Sequence, residues 1–280
     1  MALTLMYITN NLDIALIAEK YGVDRIWIDL ERLGKEERQM NMDSVKSQHK
    51  ISDIAIIKPF LTKSKLLVRV NPWNKNSKEE IEKVIDAGAD IIMLPMWKSV
   101  LDVQNFINAV DGKAKTVLLL ETKEAVECVD NVLKLPGIDE IHIGLNDLHL
   151  SYAKTFMFEL LADGTVEKLC NKFQTAGLPY GFGGVSKIGD GVLPAEKIIM
   201  EHYRLGSTRV ILSRAFCNSA AIQDIEKVEQ IFKENIKLMR DFEVYANSVS
   251  QSIYLKNKAD VAACVEKVVC AIKEKRKWRA

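Results

Sequence analysis

Short apolar runs alternate with helix-patterned segments along most of this chain, and that alternation restricts the fold more than any other feature. The run "LTLMYI" (3–8) is followed by the amphipathic "NLDIALIAEKYG" (11–22), with Asn10 or Asn11 as cap and Gly22 near its end. "RIWIDL" (25–30) and "LLVRV" (66–70) read as the second and third strands. "SKEEIEKVIDAGA" (77–89) reads as a helix in which Ser77 caps, Glu80 completes a capping box and Gly88 closes the last turn. The alternation continues through "DIIMLP" (90–95), "VLDVQNFINAV" (100–110), "TVLLLE" (116–121), "KEAVECVDNVLKL" (123–135) and "EIHIG" (140–144). It ends with "GTVEKLCNKFQTAG" (164–177), "PYGFGGVS" (179–186), "PAEKIIMEHYRLG" (194–206), which has Pro194 in its first turn, and "RVILS" (209–213).

Strands separated by helices must run parallel, because a parallel return needs a long crossover. Roughly eight strand–helix units predict a closed (β/α)8 TIM barrel over residues 1–216. The rival is an open doubly wound sheet, but no glycine-rich dinucleotide turn follows the first strand. The segment 35–65 is the hardest to place, with a helix-like "MDSVKSQH" (42–49) and an apolar "ISDIAIIK" (51–58). Residues 217–280 form a helical extension of two amphipathic stretches (221–249 and 258–277), suited to pack on the barrel or to exchange with a neighbouring subunit.

The formal net charge of the 280 residues is +1, so no global field favours nucleic acid or a membrane surface. The basic end "KEKRKWRA" (273–280) reads as a solvated helix terminus. Five scattered cysteines without a CxxC pair fit reduced thiols. The first residues carry no basic stretch before their apolar run, and no apolar run reaches the roughly 20 residues of a membrane helix. A cytoplasmic protein is the expectation.

Two apolar runs end on carboxylates. Val117 to Leu120 lead into Glu121, and the run after Glu140 ends near Asp147. A buried carboxylate is costly unless paired, and two at matching places suggest a shared divalent cation. Barrel chemistry gathers at the carboxyl ends of the strands. Reading those ends adds Asp29 and Glu31, Arg69 and Asn71, Gly144 and Asn146, Ser186, and Ser213 with Arg214. Two carboxylates plus water and substrate oxygens suit Mg2+ or Mn2+. An arginine beside them can bind a carboxylate or neutralise an enolate. The bland readings stand beside these: Glu121 as a structural partner of Arg69, and Asp147 as a helix cap. His142 reads as structural, Trp73 and Trp97 as either mouth or packing residues, and the cysteines as core.

The fragments "RIWIDLE", "LLVRVN", "VIDAGADIIMLPM", "LLLETKEAV" and "PGIDEIHIGLNDLHLS" together resemble the HpcH/HpaI aldolase and citrate lyase β-subunit family of the phosphoenolpyruvate/pyruvate barrel superfamily. The likeness runs from about Ile8 to Phe216. It implies a metal-dependent carbon–carbon lyase or aldolase acting on a pyruvate-like 2-oxo acid, with an aldehyde as second substrate. It places the metal on Glu121 and Asp147, and enolate stabilisation on Arg69 oriented by Glu31. The amides of Gly144, Leu145, Asn146 and Asp147 would hold the substrate carboxylate. It also implies a homo-oligomer, trimeric or hexameric. Three positions depart from the aldolase pattern: Arg32 stands where a histidine is expected, Leu119 for a glutamine, and Leu145 for a proline. Arg32 is then a surface residue, a partner of Glu31, or a new substrate contact. His149 is the candidate replacement proton carrier. The alternatives are other enolpyruvate chemistry, or an altered barrel that binds a 2-oxo acid or a protein partner without turnover.

Overall fold

The computed structural model describes residues 2–34, 48–190 and 193–277. Eight strands close in sequence order into a parallel barrel. They are β1 (Thr4–Ile8), β2 (Arg25–Asp29), β3 (Lys65–Arg69), β4 (Ile91–Leu94), β5 (Lys115–Leu120), β6 (Glu140–Ile143), β7 (Tyr180–Val185) and β8 (Arg209–Leu212). The (β/α)8 reading holds, and the doubly wound alternative is excluded by closure.

The helices between them are α1 (Leu12–Lys20), α2 (Ile51–Ile57), α3 (Ser77–Asp86), α4 (Val100–Val110) and α5 (Lys123–Val132). After β6 come α6 (Leu145–Ser151), α7 (Glu159–Ala162) and α8 (Thr165–Thr175), and α9 (Ala195–Arg204) precedes β8. Two long helices follow the barrel, α10 (Ile225–Ser248) and α11 (Gln251–Lys277). The second starts earlier than the periodicity from residue 258 suggests. Of the helix-like "MDSVKSQH", only Gln48 and His49 are among the described residues; the basic end beyond Lys277 is not.

The chain forms two compact units, Leu5–Ile141, and the residues up to Thr4 together with the chain from His142 onward. In the first unit the parallel registers run β1–β2, β2–β3, β3–β4 and β4–β5, with Asp29 opposite Arg69. Its strands are apolar where they pack, as in fully buried β2 and β4. That burial on both faces explains why the sequence shows continuous rather than alternating apolar runs. The amino end of this unit carries a buried ion pair: Arg25 donates to both oxygens of Glu140 at 2.7 Å. Caps set the helix starts. Asn11 accepts the Ile14 amide, Ser99 forms a capping box with Asp102, and Thr122 accepts the Ala125 amide.

One cap differs from expectation. Asn76, not Ser77, precedes α3. The Ser77 hydroxyl accepts the Asn74 amide at 2.8 Å, while Glu80 accepts the side-chain amide of Asn71 at 2.7 Å. The capping-box spacing is present, but a tertiary partner outcompetes the local one.

In the second unit β7 pairs with β8 through a bulge between Gly181 and Gly184. A Cβ at Gly181 would lie 2.3 Å from the Arg209 carbonyl oxygen and 2.7 Å from His142 Nδ1, so only glycine fits. His142 bonds the Gly183 carbonyl at 3.1 Å. The His202 ring stacks on Phe182 at 3.9 Å, with Nδ1 2.7 Å from the Ser207 hydroxyl. α11 is tied to α8 and α9 by Lys258 to Glu167 at 2.7 Å and Asn257 to Glu201 at 2.9 Å.

Candidate active site

Arg69 is the last residue of β3, and register sets Asp29 beside it at the end of β2. Its Nε and Nη2 donate to the two oxygens of Asp29, each at 2.9 Å. Its Nη1 lies 3.3 Å from a Glu31 oxygen. The guanidinium sits over the Trp27 ring, 5.3 Å from the centroid. Burial opposes the charge, but Asp29, Glu31 and Glu121 outweigh it and push the Arg69 pKa upward, so the group is permanently cationic.

Glu121 directly follows β5 and is 3% exposed. One oxygen accepts the Met96 amide at 3.0 Å. Met96 reaches it from a left-handed conformation, φ 51°, unusual for a residue with a side chain. The Thr122 hydroxyl donates to the Trp97 carbonyl at 2.9 Å, fastening the loop after β4 to the end of β5. Trp97 is buried, so it packs under this loop rather than lining a mouth; Trp73 is half-buried.

The loop after β2 is braced from two sides. The Arg32 and Leu33 amides donate to Asn71 Oδ1 at 2.9 and 3.1 Å, and Asn71 is held in turn by Glu80. Arg32 itself is exposed, and its guanidinium donates to the His49 carbonyl at 3.1 Å. Its structural partner is therefore a backbone oxygen of residue 49. The His49 ring contacts the site as well: Nδ1 is 3.0 Å from the Asp29 amide nitrogen. Neither the fork from Asp29 nor the approach of His49 is visible along the chain, because each depends on register or on a 20-residue return.

In the other unit, Gly144 precedes α6 and Leu145, Asn146 and Asp147 form its first turn. Leu145 is buried, Asn146 exposed and Asp147 half-buried. His149 lies within α6, 6% exposed, with Nδ1 bonded to the Leu145 carbonyl at 3.1 Å. A carbonyl only accepts, so the proton is on Nδ1 and Nε2 carries the lone pair.

Among the described residues, the first unit buries Asp29, Glu31 and Glu121, at 4, 3 and 3% exposure, near the guanidinium of Arg69. Among the described residues no three His, Cys, Asp or Glu side chains group to hold a metal.

The HpcH/HpaI aldolase/citrate lyase family model matches residues 3–156, more than half of the chain. The chain belongs to the HpcH/HpaI aldolase/citrate lyase family. It is similar to a solved family protein from Burkholderia cenocepacia J2315, at 14% identity and TM-score 0.60, over 81% of this chain and 95% of that one. An HpcH/HpaI aldolase from Desulfitobacterium hafniense DCB-2 aligns at 15% identity and TM-score 0.59, over 86% and 93%. The citrate synthase SbnG aligns at 16% identity and TM-score 0.58, over 82% and 94%. At these identities the structures establish a shared fold. No curated protein sequence matches the chain. Membership of the HpcH/HpaI family supports a lyase- or aldolase-type enzyme, and among the described residues no helix is long and apolar enough to cross a membrane.

Proposed function

We propose that this chain is a divalent-metal-dependent carbon–carbon lyase or aldolase acting on a 2-oxo acid through a pyruvate-type enolate. The observation that carries the reading is Arg69, held in a two-bond fork by Asp29 with Glu31 and Glu121 close by. Glu121 and Asp147 would hold Mg2+ or Mn2+, which supplies Lewis acidity toward the carboxylate and keto oxygens of the substrate. Arg69, fixed in plane by its carboxylates, stabilises negative charge on the enolate oxygen without reorganising. The first-turn amides of Gly144 to Asp147 bind the substrate carboxylate. His149, with its lone pair on Nε2, carries the proton. Arg32, already engaged with His49, adds positive charge at the rim for an anionic substrate. An aldehyde is the second substrate.

The same reading makes the protein a cytoplasmic homo-oligomer, a trimer or hexamer. Its support is that none of the five cysteines is joined in a disulfide, and that the apolar side chains of Val244 and Tyr245 on α10 are exposed.

A second reading, binding without turnover, is favoured by Leu119, buried and apolar two residues before Glu121. Exchange of pyruvate methyl protons with D2O, followed by NMR with and without Mn2+ or Mg2+, separates the two. Metal-dependent exchange that disappears in Glu121→Gln supports enolate chemistry. Metal-dependent pyruvate binding with no exchange supports the binder.

A further inference from the structure

We propose that His49 is a positioning residue of this site: its neutral imidazole accepts the Asp29 backbone N–H and thereby fixes the carboxylate that orients Arg69. The inference rests on the function proposed above. A backbone amide can only donate, so the 3.0 Å contact requires a lone pair on Nδ1, and the neutral ring carries its proton on Nε2. The side chain of Asp29 is otherwise committed. One oxygen accepts both Arg69 Nε at 2.9 Å and the Glu31 amide at 3.2 Å, and the other accepts Arg69 Nη2.

The ring acts where the sheet stops. The Thr9 amide still bonds the Trp27 carbonyl, but β1 ends at Ile8. On its other side the β2 extension continues against β3, with the Leu30 amide on the Arg69 carbonyl at 2.9 Å. His49 supplies an acceptor for Asp29 where the neighbouring strand has run out. Its carbonyl also receives the Arg32 guanidinium, so one residue holds both ends of the turn that contains Glu31.

This geometry makes the site sensitive to acid. Protonation places a hydrogen on Nδ1 opposite the Asp29 N–H, and two donors cannot bond. Among the described residues, the charged groups on the elements around the ring are Asp29 and Arg69 at the strand ends, Glu31 and Arg32 in the turn, and Lys50 and Asp53 at the start of α2. Imidazoles titrate between roughly pH 5 and 8. Enolate formation therefore falls on the acid side as this bond is lost.

The test compares wild type, His49→Asn and His49→Ala in Mn2+-dependent pyruvate proton exchange across that range. An asparagine side-chain oxygen takes the place of Nδ1 as acceptor and does not titrate. His49→Asn is expected to keep the rate within about threefold at neutral pH and to make the acid limb shallower, leaving only the part that the proton carrier His149 contributes. His49→Ala is expected to lose about tenfold in kcat with little change in KM. An unchanged acid limb in His49→Asn, or a wild-type rate in His49→Ala, overturns the proposal. Long-range proton–nitrogen correlation spectra of the imidazoles test it without activity. A neutral Nε2–H ring, and an Asp29 amide that shifts with its titration, support the proposal even if no exchange is seen and the lyase reading fails. An Nδ1–H or charged ring at neutral pH refutes it.

Discussion

Asp29 and Arg69 are opposite residues of adjacent parallel strands, and their side chains form a two-bond fork at 2.9 Å for each bond. Register alone brings them together, and deleting Asp29 removes both bonds of the fork while Glu31 and Glu121 still face the guanidinium. Asp29→Ala is expected to destabilise the fold by roughly 1–3 kcal/mol, the cost of leaving buried donors unpaired. Asp29→Asn keeps shape but loses charge and one acceptor, so enolate exchange is expected to fall about 100-fold with the fold intact. Urea unfolding and exchange rates of the two variants check this. Equal activity of Asp29→Asn and wild type would remove Asp29 from the site.

Met96 and Glu121 give a second prediction. The Met96 amide donates to the carboxylate from a residue whose φ is positive. Glycine adopts that conformation freely, while proline cannot and has no N–H. Met96→Gly is expected to retain Mn2+-dependent exchange, with a stability change within about 1 kcal/mol, as relief of strain offsets lost packing. Met96→Pro is expected to lose exchange and to weaken Mn2+ binding by at least about tenfold, read by electron paramagnetic resonance. Full exchange in Met96→Pro would show that this amide does not matter.

The element order was legible because each buried parallel strand leaves an apolar run and each helix a periodic one. Glu121 stood out for the same reason, as a carboxylate closing such a run. Pairings were not legible. Asp29 finds Arg69 through register, Glu80 chooses Asn71 over its own helix, and His49 returns from 20 residues away. The helical state of α6 was not legible either, because seven residues are too few to display a helical period.

The Arg25–Glu140 pair lies at the opposite ends of β2 and β6 from the site residues, joined over 115 residues of sequence. Both side chains are under 10% exposed. Glu140→Gln leaves the guanidinium short of charge and is expected to cost roughly 3–5 kcal/mol. The double variant Arg25→Met, Glu140→Leu is expected to recover most of that loss. Exchange per folded molecule should equal wild type in both. Denaturant melts paired with exchange assays decide the matter, and a double variant no better than the single would point to a packing role instead.

His202 sets how the second unit responds to acid. Burial, with a smaller contribution from His142, pushes its pKa down from 6.5 to about 3. Between those values the unfolded chain binds a proton that the folded chain refuses. Its contribution to stability is complete above about pH 6.5 and is lost progressively as pH falls toward about 3. The slope of unfolding free energy against pH in that window should therefore include one proton from this residue. His202→Phe keeps an aromatic ring against Phe182 and removes the titration, at the cost of the Ser207 contact. It is expected to be less stable than wild type at pH 7.5 and to close that gap by pH 5. Urea titrations at the two pH values measure the difference, and parallel pH dependence in the two proteins would mean that His202 takes up its proton equally in the folded and unfolded chains.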